Sequence, residues 1–199
     1  MSIARSHLTR LLHLAVLLTV VDQLLTSLVM ERPTPGEDAA WPFALHERAG
    51  VVGLGFLLLF WMWTLIRDSR ETRLTQLLPW FSAAGLGALA ADLRAISSAL
   101  ARGKAPPLHL DALSSAVHGL GLLCASFLAL SGAAWLYLFT ETPYGRMALT
   151  AHELAGNVMW AYLIAHALAA LAHQARGDRI FARMFWVRGR RHSHTAPAE

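Results

Sequence analysis

The stretch Ala151–Gln174 reads AHELAGNVMWAYLIAHALAALAHQ, an almost unbroken apolar run carrying three histidines, His152, His166 and His173. At about 1.5 Å of rise per residue it is long enough to cross the ~30 Å hydrocarbon layer of a bilayer as one helix. An unpartnered polar side chain in lipid is costly, so imidazoles in such a span are expected to face a bundle interior and to meet partners there. His152 and His166 are fourteen residues apart. That spacing gives about 21 Å of rise and a rotation within about 40° of whole turns, so the two rings share one face at two depths. The stretch therefore predicts an all-α membrane bundle with polar groups stacked along the membrane normal.

The composition agrees with this reading. Of 199 residues, 55% are hydrophobic and only 15% charged, with a mean hydropathy of +0.43. That is too apolar for a water-soluble domain of this length. The net charge of +4 is carried by arginines, with Lys104 as the only lysine. In a membrane protein such arginine marks the cytoplasmic side, so we read the basic balance as topology rather than as nucleic-acid binding. The single cysteine, Cys124, lies inside an apolar run and no CxxCH is present. A disulfide within the chain, a zinc ribbon and covalent haem attachment are all excluded.

Four stretches have the length and composition of spans, at about residues 8–30, 45–66, 113–139 and 147–174. The first lacks an AxA-like site before ERPTPGED and is expected to be retained rather than cleaved. A fifth apolar stretch begins at Leu74 but contains Pro79 and runs into Asp92 and Arg94. Charge bias decides its placement. With four spans and the N-terminus inside, only Arg32, Arg48 and Arg146 fall outside, whereas a fifth span would export Arg94, Arg102, Lys104 and the arginine-rich tail. The sequence thus predicts a four-helix bundle over residues 1–175 in a bacterial inner membrane, with an inner-surface helix at about 74–101. Residues 176–199 form a basic cytoplasmic tail, and both termini are inside.

This topology sorts the histidines by depth. His46 opens the second span on the outer side, level with His152. His13 lies near the inner end of the first span, at the depth of His166. Two cross-helix imidazole pairs in an apolar bundle suit haem iron, which takes two axial ligands and uses the bundle core as its pocket. Zinc suits them less, because it wants about four converging ligands. At the inner depth His118 and His173 compete with His13 as partners of His166, so depth alone leaves that pairing open. At the outer depth only His46 and His152 meet.

The layout RLLH in the first span, HERAG opening the second and HELAGNVMWAYLIAHALAALAHQARGDRIFARMF in the fourth resembles the bacterial cytochrome b561 family, related to the cytochrome b subunits of nickel-iron hydrogenases. The resemblance covers nearly the whole chain, and its most specific part is the fourth span. It implies two haems b, the inner on His13 and His166 and the outer on His46 and His152. His118 and His173 are then expected near haem propionates or a quinone. The segment between Arg67 and Leu113 is longer than in compact members of the family.

The resemblance implies electron transfer across the inner membrane between a donor and the quinone pool, in one of two forms. One is a self-contained quinone reductase that oxidises superoxide at the outer face. The other is the membrane subunit of a hydrogenase or dehydrogenase, with lipid, quinone and a catalytic subunit or redox protein as partners. A histidine-lined metal transporter is the reading from another class; such proteins commonly show repeats or broken helices, which this sequence lacks. Asp22, mid-span, is read either as a proton or quinone contact or as a hydrogen-bonded structural acid. Gly50, Gly53 and Gly55 either admit a porphyrin or pack helices.

Overall fold

Ser6 accepts a hydrogen bond from the Thr9 N–H at 3.2 Å, satisfying one of the open donors of a helix start and opening α1, His7–Ser27. Pro42 sits in the first turn of α2, Trp41–Ile66, where its missing N–H costs nothing. The computed structural model describes residues 6–34, 36–67, 74–107, 110–140, 142–178 and 180–184. After α2 come α3, Leu74–Leu77, a 3-10 turn at Pro79–Phe81, and α4, Ala83–Ala101, capped by the Ser82 hydroxyl accepting from the Gly85 N–H. The fourth long helix, α5, Asp111–Ala134, runs on into a π-helical turn at Trp135–Phe139. Thr142 then caps α6, Pro143–Ala175, and α7, Ile180–Met184, follows.

The four predicted spans correspond to α1, α2, α5 with its π turn, and α6, with ends shifted by a few residues. The predicted single helix at 74–101 is instead three pieces, because Pro79 cannot donate to the preceding turn and Leu78 before it leaves the helical region. The count of membrane-length helices also differs. Five are long and apolar enough to cross a membrane, the fifth being α4 itself. His109, His192 and His194 lie outside the described residues.

The long helices are apolar on all sides, and large side chains such as Leu18, Leu58 and Leu168 are more than half exposed. Such surfaces suit lipid rather than water. The chain is a multi-pass membrane protein. Its buried centre is small, with Leu24, Leu57, Ala125 and Met159 at its heart and Val20, Leu128 and Leu163 packed around them. Polar clasps tie the helices where lipid offers no hydrogen bonds. The Trp61 indole N–H donates to the Ser126 hydroxyl of α5 at 2.9 Å, and that of Trp63 to the Thr9 hydroxyl of α1 at 2.8 Å.

Backbone packing follows the order α1–α2–α5–α6. Between α6 and either α1 or α2 there is no comparable backbone packing, which leaves a seam along the bundle. One end of the bundle carries the α1–α2 and α5–α6 connections; the other carries the long connection between α2 and α5. At this long-loop end Asp92, halfway along α4, accepts a hydrogen bond from the Leu113 N–H in the first turn of α5 at 2.9 Å. The middle of α4 is therefore level with the beginning of α5, and the two helices overlap only in part.

Candidate functional site

The seam between α6 and the α1–α2 pair is where His46 and His152 face each other. His46, in the second turn of α2, and His152 of α6 reach across it with ring centres 6.2 Å apart and planes at 79°. Each ring is held from behind. The Thr26 hydroxyl lies 2.7 Å from the Asp22 carbonyl and 3.2 Å from that of Gln23, and a carbonyl can only accept, so the hydroxyl proton points there. The 2.9 Å contact between Thr26 Oγ1 and His46 Nδ1 is then a donation from the ring. The Gln23 amide adds a bond to the His46 carbonyl at 2.7 Å. On the other side Nδ1 of His152 donates to the Leu128 carbonyl at 2.9 Å, with the Ser131 hydroxyl 3.1 Å away. Both rings are thus in the tautomer that leaves the Nε2 lone pair for a ligand.

The spacing fits a metal between them. An ion held by two imidazole nitrogens at about 2 Å each, with each ring centre about 1 Å further back, separates the ring centres by roughly 6 Å. Two donors across an open seam suit a group that brings its remaining four ligands with it, as haem does. Among the described residues no three His, Cys, Asp or Glu side chains converge on a metal position. The donor set fits haem.

The second layer is built differently. His166 of α6 meets His118 of α5 edge to face at 5.1 Å and 89°, and Tyr162, one turn back, lies flat against it at 5.5 Å and 15°. The His118 contact is direct ring packing, about 1 Å too close for an iron between the two. Nδ1 of His118 is turned to its own helix, 2.6 Å from the Ser114 carbonyl. His13 stands on α1 between Thr9, tied to Trp63, and Thr19, packed on Gly53. Its depth follows from the first layer. Thr26 is level with His46, which faces His152; His13 lies thirteen residues below Thr26, and His166 fourteen below His152. Each is about 20 Å of helix rise from the first layer, so His13 and His166 stand at matched depth.

His173 is turned away from that layer. It pairs with Asp178 at 3.0 Å across the turn that ends α6. Two glycines explain why the α5 side is so close. A Cβ on Gly119 would fall 1.9 Å from the Leu77 carbonyl, and one on Gly121 would fall 2.1 Å from the Tyr162 ring. Bare backbone thus admits α3 on one side and, on the other, the tyrosine that stacks on His166. Gly50 and Gly53 face Gln23 and Thr19, so they serve α1–α2 packing, while Gly55 has no neighbour within 4 Å. One carboxylate oxygen of Asp22 is buried with no hydrogen-bond partner among the described residues.

Thr26, Gln23, Ser131 and Tyr162 were not legible as site residues in the sequence. Tyr162 carried a signal, its place four residues before His166. The others act on a histidine of a different helix, which one-dimensional spacing does not reveal.

A lipid-facing helical bundle with pre-oriented imidazoles paired across a seam has the architecture of a membrane b-type cytochrome. Residues 4–186 match the family model of prokaryotic cytochrome b561, and the chain belongs to that family. Membership carries electron transfer in the membrane and the binding of haem b. No curated protein and no solved structure matches the chain.

Proposed function

We propose that the chain is a dihaem cytochrome b that carries electrons between a donor at the short-loop end and the quinone pool, with His46 and His152 ligating one haem and His13 and His166 the other. When bound, haem supplies reversible one-electron chemistry at its iron; the chain supplies ligation, an apolar surround and spacing. Thr26 and the Leu128 carbonyl hold the first pair of rings with Nε2 toward the seam. Tyr162 fixes the plane of His166 by stacking. The layers are about 20 Å apart along the helices, enough to serve opposite sides of a ~30 Å hydrocarbon slab.

The observation that carries this reading is the His46–His152 pair, 6.2 Å apart with both Nδ1 atoms engaged. The matched depth of His13 and His166 supports the second site. His118 is then a neighbour of the second pair rather than a ligand, in keeping with its 5.1 Å contact. We place the short-loop end outside and α4 at the inner surface. The arginine distribution and the Asp92–Leu113 contact support that placement, since a fifth span would set the middle of α4 against the middle of α5.

A dithionite-reduced minus oxidised spectrum of the purified protein tests the reading: sharp b-type bands are expected, and a colourless protein refutes it. Enzymatically generated superoxide distinguishes the donors. Quinone reduction by the isolated chain supports the self-contained form, and its absence supports a partner subunit as donor.

A further inference from the structure

At the long-loop end a half-open cavity of about 530 Å³ lies between α3–α4 and the first turns of α5. Its walls are of two kinds. Pro79, Gly85, Ala88 and Ala112 are short and apolar and leave a slot, while Thr75, Gln76, Ser82, Asp92, Asp111 and Ser115 line it with polar groups. Both carboxylates lie against the start of α5. Asp92 accepts from the Leu113 N–H, and Asp111 stands in the first turn, where helix N–H groups favour negative charge. They therefore do not ask for a cation.

What the slot offers a ligand is neutral donors. The Ser82 oxygen accepts from the Gly85 N–H at 3.0 Å, so its own proton is available to donate into the slot. Ser115 lines the facing wall, on α5. Small apolar walls with hydroxyl donors on two sides suit a flat ring bearing carbonyl oxygens. Phe81 and Leu86, next in sequence to the lining residues Ser82 and Gly85, are 79% and 50% exposed, apolar surface available to a hydrocarbon tail.

The position of the slot is as informative as its chemistry. Ser115 is one turn from His118, about 4.5 Å of rise, and His118 packs on His166. The Leu77 carbonyl, held against the bare backbone of Gly119, fixes α3 at the same place. The cavity is thus built by the long connection between α2 and α5 directly beside the second histidine layer.

We propose that this slot binds the headgroup of a membrane quinone, with Ser82 and Ser115 donating to its carbonyl oxygens and the tail leaving past Phe81 and Leu86. The proposal rests on the functional reading above and assigns to the 74–115 region the place where the chain meets the quinone pool.

Binding of a decyl-substituted benzoquinone to the haem-loaded protein in lipid nanodiscs tests it, comparing the unmodified chain with Ser115→Ala and Ala88→Phe. Ala88 is solvent-facing in the slot wall, so a larger side chain fills the cavity without disturbing the core. Saturable binding to the unmodified chain is expected, weakened about tenfold by Ser115→Ala, as for the loss of one hydrogen bond, and abolished by Ala88→Phe. Both variants should keep the haem spectrum. Equal affinity in all three proteins, or no saturable binding to any, overturns the proposal. A chain without haem b refutes the functional reading instead, and its spectrum shows this before quinone is added.

Discussion

Nδ1 of His46 donates to the Thr26 hydroxyl at 2.9 Å, and that hydroxyl in turn donates to the Asp22 carbonyl at 2.7 Å. The chain of bonds sets which nitrogen of His46 faces the seam before any ligand arrives. Thr26→Val keeps the shape but removes the acceptor, leaving a buried N–H unpaired at a cost of about 1–3 kcal/mol. Haem at this layer should be retained about 10- to 100-fold more weakly, read as its transfer to apomyoglobin, while the second haem stays. Equal retention at both sites would show that the hydroxyl plays no part in ligation.

Ligand substitutions should separate the layers. His46→Ala or His152→Ala is expected to halve the haem content by removing one haem, and His13→Ala or His166→Ala the other. His118→Ala and His173→Ala should keep both. If His118→Ala strips a haem and His13→Ala does not, the second ligand pair is misassigned.

Gly121→Ala tests the stacking of Tyr162 on His166. Its Cβ would fall 2.1 Å from the tyrosine ring, which must shift. Overpacking of this kind costs about 1–3 kcal/mol. A lower thermal midpoint is expected, with a changed low-spin electron paramagnetic resonance signal from one haem only. Gly87→Ala on α4, with nothing within 4 Å of the new methyl group, should leave both observables unchanged.

Topology is read by reporter fusions after Gly103 and after Glu199. Green fluorescence without alkaline phosphatase activity is expected at both. Phosphatase activity after Gly103 would mean that α4 crosses the bilayer, which would place the two predicted ligand pairs at odds with the charge distribution.

The long helices α1, α2, α5 and α6 were legible in the sequence, because the hydrocarbon layer demands some twenty apolar residues whatever the tertiary structure. The fifth of that length, α4, was read as a surface helix. The His46–His152 pair was legible for a related reason: depth is counted along a helix, and no other histidine competes there. The region 74–101 was less legible. Pro79 breaks it, yet where the pieces dock depends on Gly119 and Asp92, whose partners Leu77 and Leu113 lie on other elements. The second layer was open for a related reason. His118 and His13 share its half of the bundle, and only the 5.1 Å ring contact distinguishes packing against His166 from room for an iron.

Two haems b held without covalent bonds by four histidines of one chain are what the proposed function requires. A pyridine haemochrome assay on the purified protein, referred to chain concentration by amino-acid analysis, tests it most directly. Two haems per chain are expected, both extracted by acidified acetone. One haem or none per chain, or haem that stays with the protein after extraction, would contradict it.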